Sequence, residues 1–162
     1  MSQNASVIMT NQSVYINESQ YIGRVKSMSA EVTRKTKTLG GLGGVGSIDV
    51  PTGKFEPIKA SVPFGSLAPK DIRTLNENGG YVKLRFTGVV RMLDTHSGIR
   101  KNGSMTTRLH GYVLNPPVPN YDDEQQDYTA NISVQFLEVS DSSGQIFMID
   151  FAKGLSFPQL GA

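Results

Sequence analysis

The sequence predicts a mainly β fold, a small β-sandwich or barrel with one short flanking helix, and three observations carry that expectation. Apolar and polar residues alternate over most of the chain, which is the period of half-buried strands. Turn-forming clusters such as DSSG at 141–144 separate the alternating runs. Only one short segment carries the grammar of a helix.

The longest alternating run is YVKLRFTGVVRMLD at 81–94. It puts Val82, Leu84, Phe86, Val90 and Met92 on one face and Lys83, Arg85, Thr87 and Arg91 on the other. SMTTRLHGYVL (104–114) is expected to pair with it across the polar loop THSGIRKNG. In ANISVQFLEV (130–139), Ile132, Val134 and Phe136 alternate with Ser133 and Gln135, and QIFMIDFA (145–152) follows through the DSSG turn. Near the start, SVYIN and QYIGRV read as a hairpin about Glu18 and Ser19, behind an extended polar N-terminus over 1–12. After Val25 the apolar phase shifts to Met28, Ala30 and Val32, the mark of a β-bulge. PIKASVPF (57–64) adds another extended stretch, with Pro51, Pro57 and Pro63 marking edges or bulges. The helix is expected in APKDIRTLNENGG (68–80): Pro69 suits the first turn, Ile72 and Leu75 lie three apart, and Gly79-Gly80 stop it.

A chain of 162 residues fits a single domain over 1–162 with a real core. Sixteen basic against fourteen acidic residues leave a formal charge of +2, too mild to imply nucleic-acid binding by itself. There is no Cys, which excludes disulfides, thiolate metal sites and thiol nucleophiles. The N-terminus has neither a basic region nor a long apolar run, so no signal peptide is expected, and no segment has the roughly 20 apolar residues of a membrane helix. The N-x-S triplets at Asn4, Asn11, Asn17, Asn102 and Asn131 are then chance in a chain rich in Ser and Asn. No membrane binding by this chain is expected.

Residues 34–55, RKTKTLGGLGGVGSIDVPTGKF, contain a formal G-x-G-x-x-G at Gly41, Gly43 and Gly46. A dinucleotide fingerprint needs a buried apolar strand before those glycines and a helix after them. Here EVTRKTKT precedes, SIDVPTG follows, and the residue twenty positions on is Ser66 rather than an acid. A phosphate-binding loop fails as well, because no Gly-Lys-Ser/Thr closes the run. Glycine used for backbone freedom and close approach to another surface is the remaining reading. His96 and His110 are the only histidines, and a loop histidine and a strand histidine without metal is the default. DDEQQD (122–127) lacks the central Gly and terminal Glu of a calcium loop, and no serine sits in a G-x-S-x-G elbow. No catalysis, cofactor or metal is expected.

From Val14 to Gly161 the chain resembles the tail tube proteins of contractile-tailed bacteriophages. A short hairpin leads to a strand ending in a basic Thr/Arg/Lys segment and a Gly-rich loop. A G-x-(I/V)-D-V-x-x-G pattern follows, met by Gly46, Ile48, Asp49, Val50 and Gly53. LRFTGVVRMLD, RLHGYVL, an acidic loop, NISVQFLEV and IDFAKGLSFPQLG complete the order. The family is related to the tube proteins of type VI secretion systems and contractile bacteriocins. The resemblance implies a structural virion protein that forms hexameric rings stacked into the inner tail tube, made and assembled in the host cytoplasm. It implies self-association, sheath, tape-measure and baseplate partners, and passage of DNA through the lumen during genome ejection. A headless contractile device is the alternative, and a β-barrel nucleic-acid-binding module is a further one.

On that reading residues 36–47 form a Gly-rich inter-subunit loop with Leu39, Leu42, Val45 and Ile48 as apolar anchors and Gly41, Gly43 and Gly46 allowing close approach. The loop is expected to order only on assembly. The basic residues before it, Arg34, Lys35 and Lys37, would meet Asp122, Asp123, Glu124 and Asp127 of a neighbouring subunit. A solvated basic face is the plainer alternative. DNA binding by this basic run would want interleaved aromatic residues, and only Tyr21 lies near it.

Overall fold

The computed structural model describes residues 5–17, 19–20, 25, 27–94, 97–98, 100–121 and 127–158. The main element is a nine-stranded sheet, and a separate two-stranded sheet stands beside it. In the main sheet, β1 (Ala5–Ile16) pairs with the two-residue β2 (Ser19–Gln20) and with β7 (Tyr81–Asp94). Next come β8 (Arg100–Val113) and β9 (Tyr128–Asp141), all antiparallel. No helix among the described residues is long and apolar enough to cross a membrane.

At β9 the sheet divides. The first half of β9 pairs with β6 (Lys59–Phe64), which in turn pairs with β3 (Ser29–Glu31). The second half pairs along the same edge with β10 (Gly144–Asp150), followed by β11 (Leu155–Phe157). The handover takes place between two adjacent residues: Val134 N donates to Ile58 O and Phe151 N donates to Gln135 O, both at 3.0 Å. On the other edge of β9, Gly111 pairs with Val134 while His110 pairs with Phe136, so Gln135 is an extra residue. That bulge reverses the alternation. Phe136 therefore leaves the core face, where alternation from Ile132 and Val134 would have put it, and lies against the His110 ring with centroids 4.9 Å apart. Leu137 takes the core position instead and is buried. The bulge also explains a glycine: a Cβ on Gly111 would come within 2.3 Å of the Ser133 carbonyl oxygen.

One core cluster gathers Ile16, Ile58, Val62, Phe64, Val82, Leu84, Leu109, Ile132, Leu137 and Ile149 with their smaller neighbours. The helix α1 (Pro69–Asn76) adds Leu75 to it, starts with Pro69 in its first turn and is followed by the positive-φ glycines Gly79 and Gly80. Asp71 accepts the Ala68 N–H at 3.0 Å, occupying a donor that the helix start leaves open. Along β7 the inward face is apolar as expected at Val82 and Leu84, but burial fades outward: Phe86 and Val90 are half-buried and Met92 is 38% exposed. The far end of this long strand extends past the core. Its partner there is the extended N-terminal segment, which from Ala5 onward is the strand β1, because β7 supplies it with a ladder from Ala5 to Ile16. Val25 forms an isolated bridge to Phe64, and Tyr21–Arg24, read as part of a strand, lie outside the described residues.

Candidate functional site

Residues 34–55 form an antiparallel hairpin of β4 (Arg34–Leu42) and β5 (Gly46–Phe55) that pairs with no strand of the main sheet. The glycine-rich stretch is therefore the end of a hairpin and not a structureless loop. Its alternation is mostly polar because only the base of the hairpin, at Phe55, packs against the core. Gly41, Gly43 and Gly44 take positive φ at the tip, which residues with a side chain rarely adopt. Lys37 stands opposite Val50 and Leu39 opposite Ile48 on one face; Thr36 stands opposite Pro51 and Thr38 opposite Asp49 on the other. Thr38 Oγ1 donates to Asp49 Oδ1 at 2.6 Å and Thr52 Oγ1 donates to the Lys35 carbonyl at 3.1 Å. At the base Glu56 N donates to Thr33 O, and Phe55 packs edge-on to Phe147 at 6.1 Å.

This arm carries Arg34, Lys35, Lys37, Leu39, Gly41, Leu42, Gly43, Val45, Gly46 and Ile48, ten of the residues assigned from the sequence to subunit contacts. Leu39 and Ile48 are exposed, and Val45 at the tip is 94% exposed. An isolated two-stranded hairpin is marginal in water, and its apolar face has no cover in the single chain. Burying each of these three side chains would return about 1.5–3 kcal/mol.

Of the acidic residues assigned to the same contacts, Asp122, Asp123 and Glu124 lie outside the described residues. Asp127 immediately precedes Tyr128, which pairs with Phe64 at the far end of β6. The hairpin closes at Glu56, just before the near end of β6 at Lys59. The base of the basic arm and Asp127 thus stand at opposite ends of β6, roughly 17 Å for a six-residue strand. The chain before Asp127 is anchored by Asn115. Its Oδ1 accepts the Asn131 N–H at 2.7 Å, its Nδ2 donates to Thr129 O at 2.8 Å, and its carbonyl accepts the Tyr128 hydroxyl. Burial pushes Tyr128 up to about 12, which keeps that hydroxyl a donor. Beyond this anchor Leu114, Val118 and Tyr121 are exposed.

The face of the main sheet opposite the core is polar and aromatic. One rung runs Tyr15, Arg85, Arg108, Glu138, Met148, Phe157 across six strands. Arg108 pairs with Glu138 at 3.1 Å, and Gln145 Nε2 donates to the same carboxylate at 2.7 Å. His110 sits beside Tyr81, Phe136 and Lys83 on this face. Burial, helped by Lys83 and Arg108, holds its imidazole below the usual 6.5, against the pull of Asp150 and Glu138. Among the described residues no three His, Asp or Glu side chains gather as a metal site, and His96 lies outside them. Alternation along 81–94 already sets Lys83 and Arg85 on this face, and the cross-strand register adds the members on β8 and β9.

Compared with known families, residues 6–154 match the family described as phage tail tube protein FII. No curated protein matches the chain.

Proposed function

The chain belongs to the phage tail tube protein FII family, a structural family of the virion tail, and from that premise we propose that it forms hexameric rings stacked into the inner tube of a contractile tail. The tube conducts the genome during ejection, inside a sheath, around a tape-measure protein and upon a baseplate. The carrying observation is the detached hairpin, a self-paired arm with exposed Leu39, Val45 and Ile48 and with three cations from Arg34 to Lys37.

Physical reasoning favours a head-to-tail contact. The hairpin base and Asp127 lie at opposite ends of β6, which suits contact between the basic arm of one copy and the acidic segment of the next. Contacts between unlike patches close into rings or propagate as open stacks, which is what a tube requires. Ordering the hairpin costs on the order of 1–2 kcal/mol per residue fixed, and covering Leu39, Val45 and Ile48 against a neighbour offsets part of that cost at about 1.5–3 kcal/mol each. The arm therefore acquires its final order as copies join, and the subunit stays dispersed until a tail is started.

The test is size-exclusion chromatography with negative-stain electron microscopy of the full chain and of a variant whose residues 39–46 are replaced by a short polar turn. Dispersed subunits that convert to rings or tubes as the concentration is raised are expected from the first. A folded subunit that no longer stacks is expected from the second. Normal tubes from the variant would remove the hairpin from the assembly.

A further inference from the structure

The polar sheet face holds more positive charge than its own carboxylates balance. Lys83 stands directly opposite His110, and Arg85 directly opposite Arg108. Arg85 and Arg108 are like charges in facing positions, which costs stability, and an anion lying over them removes that cost. Glu138 is engaged by Arg108 and Gln145, while Asp150 accepts the backbone N–H groups of Ala152 and Lys153. Among the described residues no carboxylate pairs with Arg85. Its guanidinium lies over the Tyr15 ring, 4.2 Å from the centroid, and its Nε is buried without a hydrogen-bond partner.

Aromatic rings are interleaved with these cations. On β7 the same face carries Tyr81, Lys83 and Arg85; on β8 it carries Arg108, His110 and Tyr112. Tyr81 and Tyr112 pack edge-on at 5.2 Å, which fixes the Tyr112 ring while leaving it 47% exposed. Cations that track a phosphate chain beside rings that stack bases are the two parts of a single-strand nucleic-acid platform. Lys83 and Arg85 are two residues apart on one strand, about 6.6 Å, near the spacing of successive phosphates in an extended strand. An acidic protein segment would use the charges but leave the rings without a role.

We propose that this face binds single-stranded nucleic acid, with Lys83 and Arg85 holding phosphates and Tyr112 stacking a base. The inference stands on the sheet face alone and does not depend on the hairpin or on tube assembly.

The probe is a fluorescein-labelled oligothymidylate, titrated at low salt with the full chain in its unassembled form and read by anisotropy. Lys83 and Tyr112 are exposed, so Lys83→Ala and Tyr112→Ala leave the fold intact, which a thermal melt verifies. Tyr112→Ala is expected to weaken binding about tenfold. Lys83→Ala is expected to weaken it and to reduce the slope of log K against log salt by about 0.7, one phosphate contact. Lys35→Ala on the hairpin removes the same charge and should leave binding unchanged. Absence of oligonucleotide binding by the parent chain overturns the proposal, as does equal loss in Lys35→Ala and Lys83→Ala. Polyglutamate bound as tightly as the oligonucleotide, with no loss in Tyr112→Ala, would show plain charge pairing and also overturn it.

Discussion

Replacing Gly111 by alanine tests the division of the sheet at β9. The glycine faces the bulge at Gln135, and an added Cβ would stand 2.3 Å from Ser133 O and 2.8 Å from Ile132 Cγ2. The nearer obstacle is backbone, so no rotamer change relieves it, and β8 and β9 must part locally. Overpacking of this kind costs about 1–3 kcal/mol, and one or two strained or broken ladder hydrogen bonds add about 1 kcal/mol each. The expected destabilisation is about 2–5 kcal/mol, or a Tm lower by roughly 5–20 °C for a chain of this size. Gly103 in the same strand is the control, since nothing lies within 4 Å of its added Cβ. Gly103→Ala should stay within about 1 kcal/mol of the parent. Thermal and urea unfolding followed by circular dichroism read both. A Gly111→Ala protein that melts with the Gly103→Ala control would refute the close approach, and with it the bulge as the reason for this glycine.

Phe86→Ala should destabilise by about 1.5–2.5 kcal/mol, below the ~3–5 kcal/mol of a fully buried site, because Phe86 is half-buried. Thr87→Ala, losing only a long 3.4 Å hydrogen bond to Ser13 O, should change urea stability by less than about 0.5 kcal/mol. Asp71→Ala removes an acceptor that is 1% exposed and leaves the Ala68 N–H open, for a loss of about 1–3 kcal/mol in the same assay. His110 is held below 6.5 in the folded chain, so the unfolded chain binds the extra proton first. Its contribution is present above pH 6.5 and is lost as pH falls through the folded value. His110→Gln should therefore flatten the decline of Tm on acidification below pH 6.5, and an unchanged decline would assign the acid sensitivity elsewhere.

Elements whose sequence carries its own boundary were readable in advance. The strand Tyr81–Asp94 shows unbroken alternation, the turn before Gly144 is spelled by Asp141, Ser142 and Ser143, and α1 begins at Pro69 and ends before two glycines. Elements defined by a partner were not. The N-terminal segment is too polar to announce a strand by itself, and becomes β1 because β7 extends beside it. The displacement of Phe136 depends on one unmarked residue, Gln135, that no local pattern distinguishes from its neighbours. For the site, glycine content drew attention to residues 36–47, but the mixed face of Lys37, Leu39, Ile48 and Val50 alternates too weakly to announce a hairpin. On the polar sheet face, alternation shows Lys83 and Arg85 on one strand, while the register with β8 and β9 is what sets Arg108, His110 and Phe136 beside them.

The shared role of β9 also sets the order in which the chain can fold. Ala60 waits for Ile132, Tyr15 for Arg85, and Leu109 for Leu137, so the ladders that close the core include ones between residues far apart along the chain. Such non-local topologies fold slowly. During synthesis β6, β8 and the core above them stay incomplete until residues 128–141 have left the ribosome. The hairpin of residues 34–55 is made early but has no finished subunit to stand on until that late strand arrives. Translation itself thereby delays any contact between copies until each copy has its core.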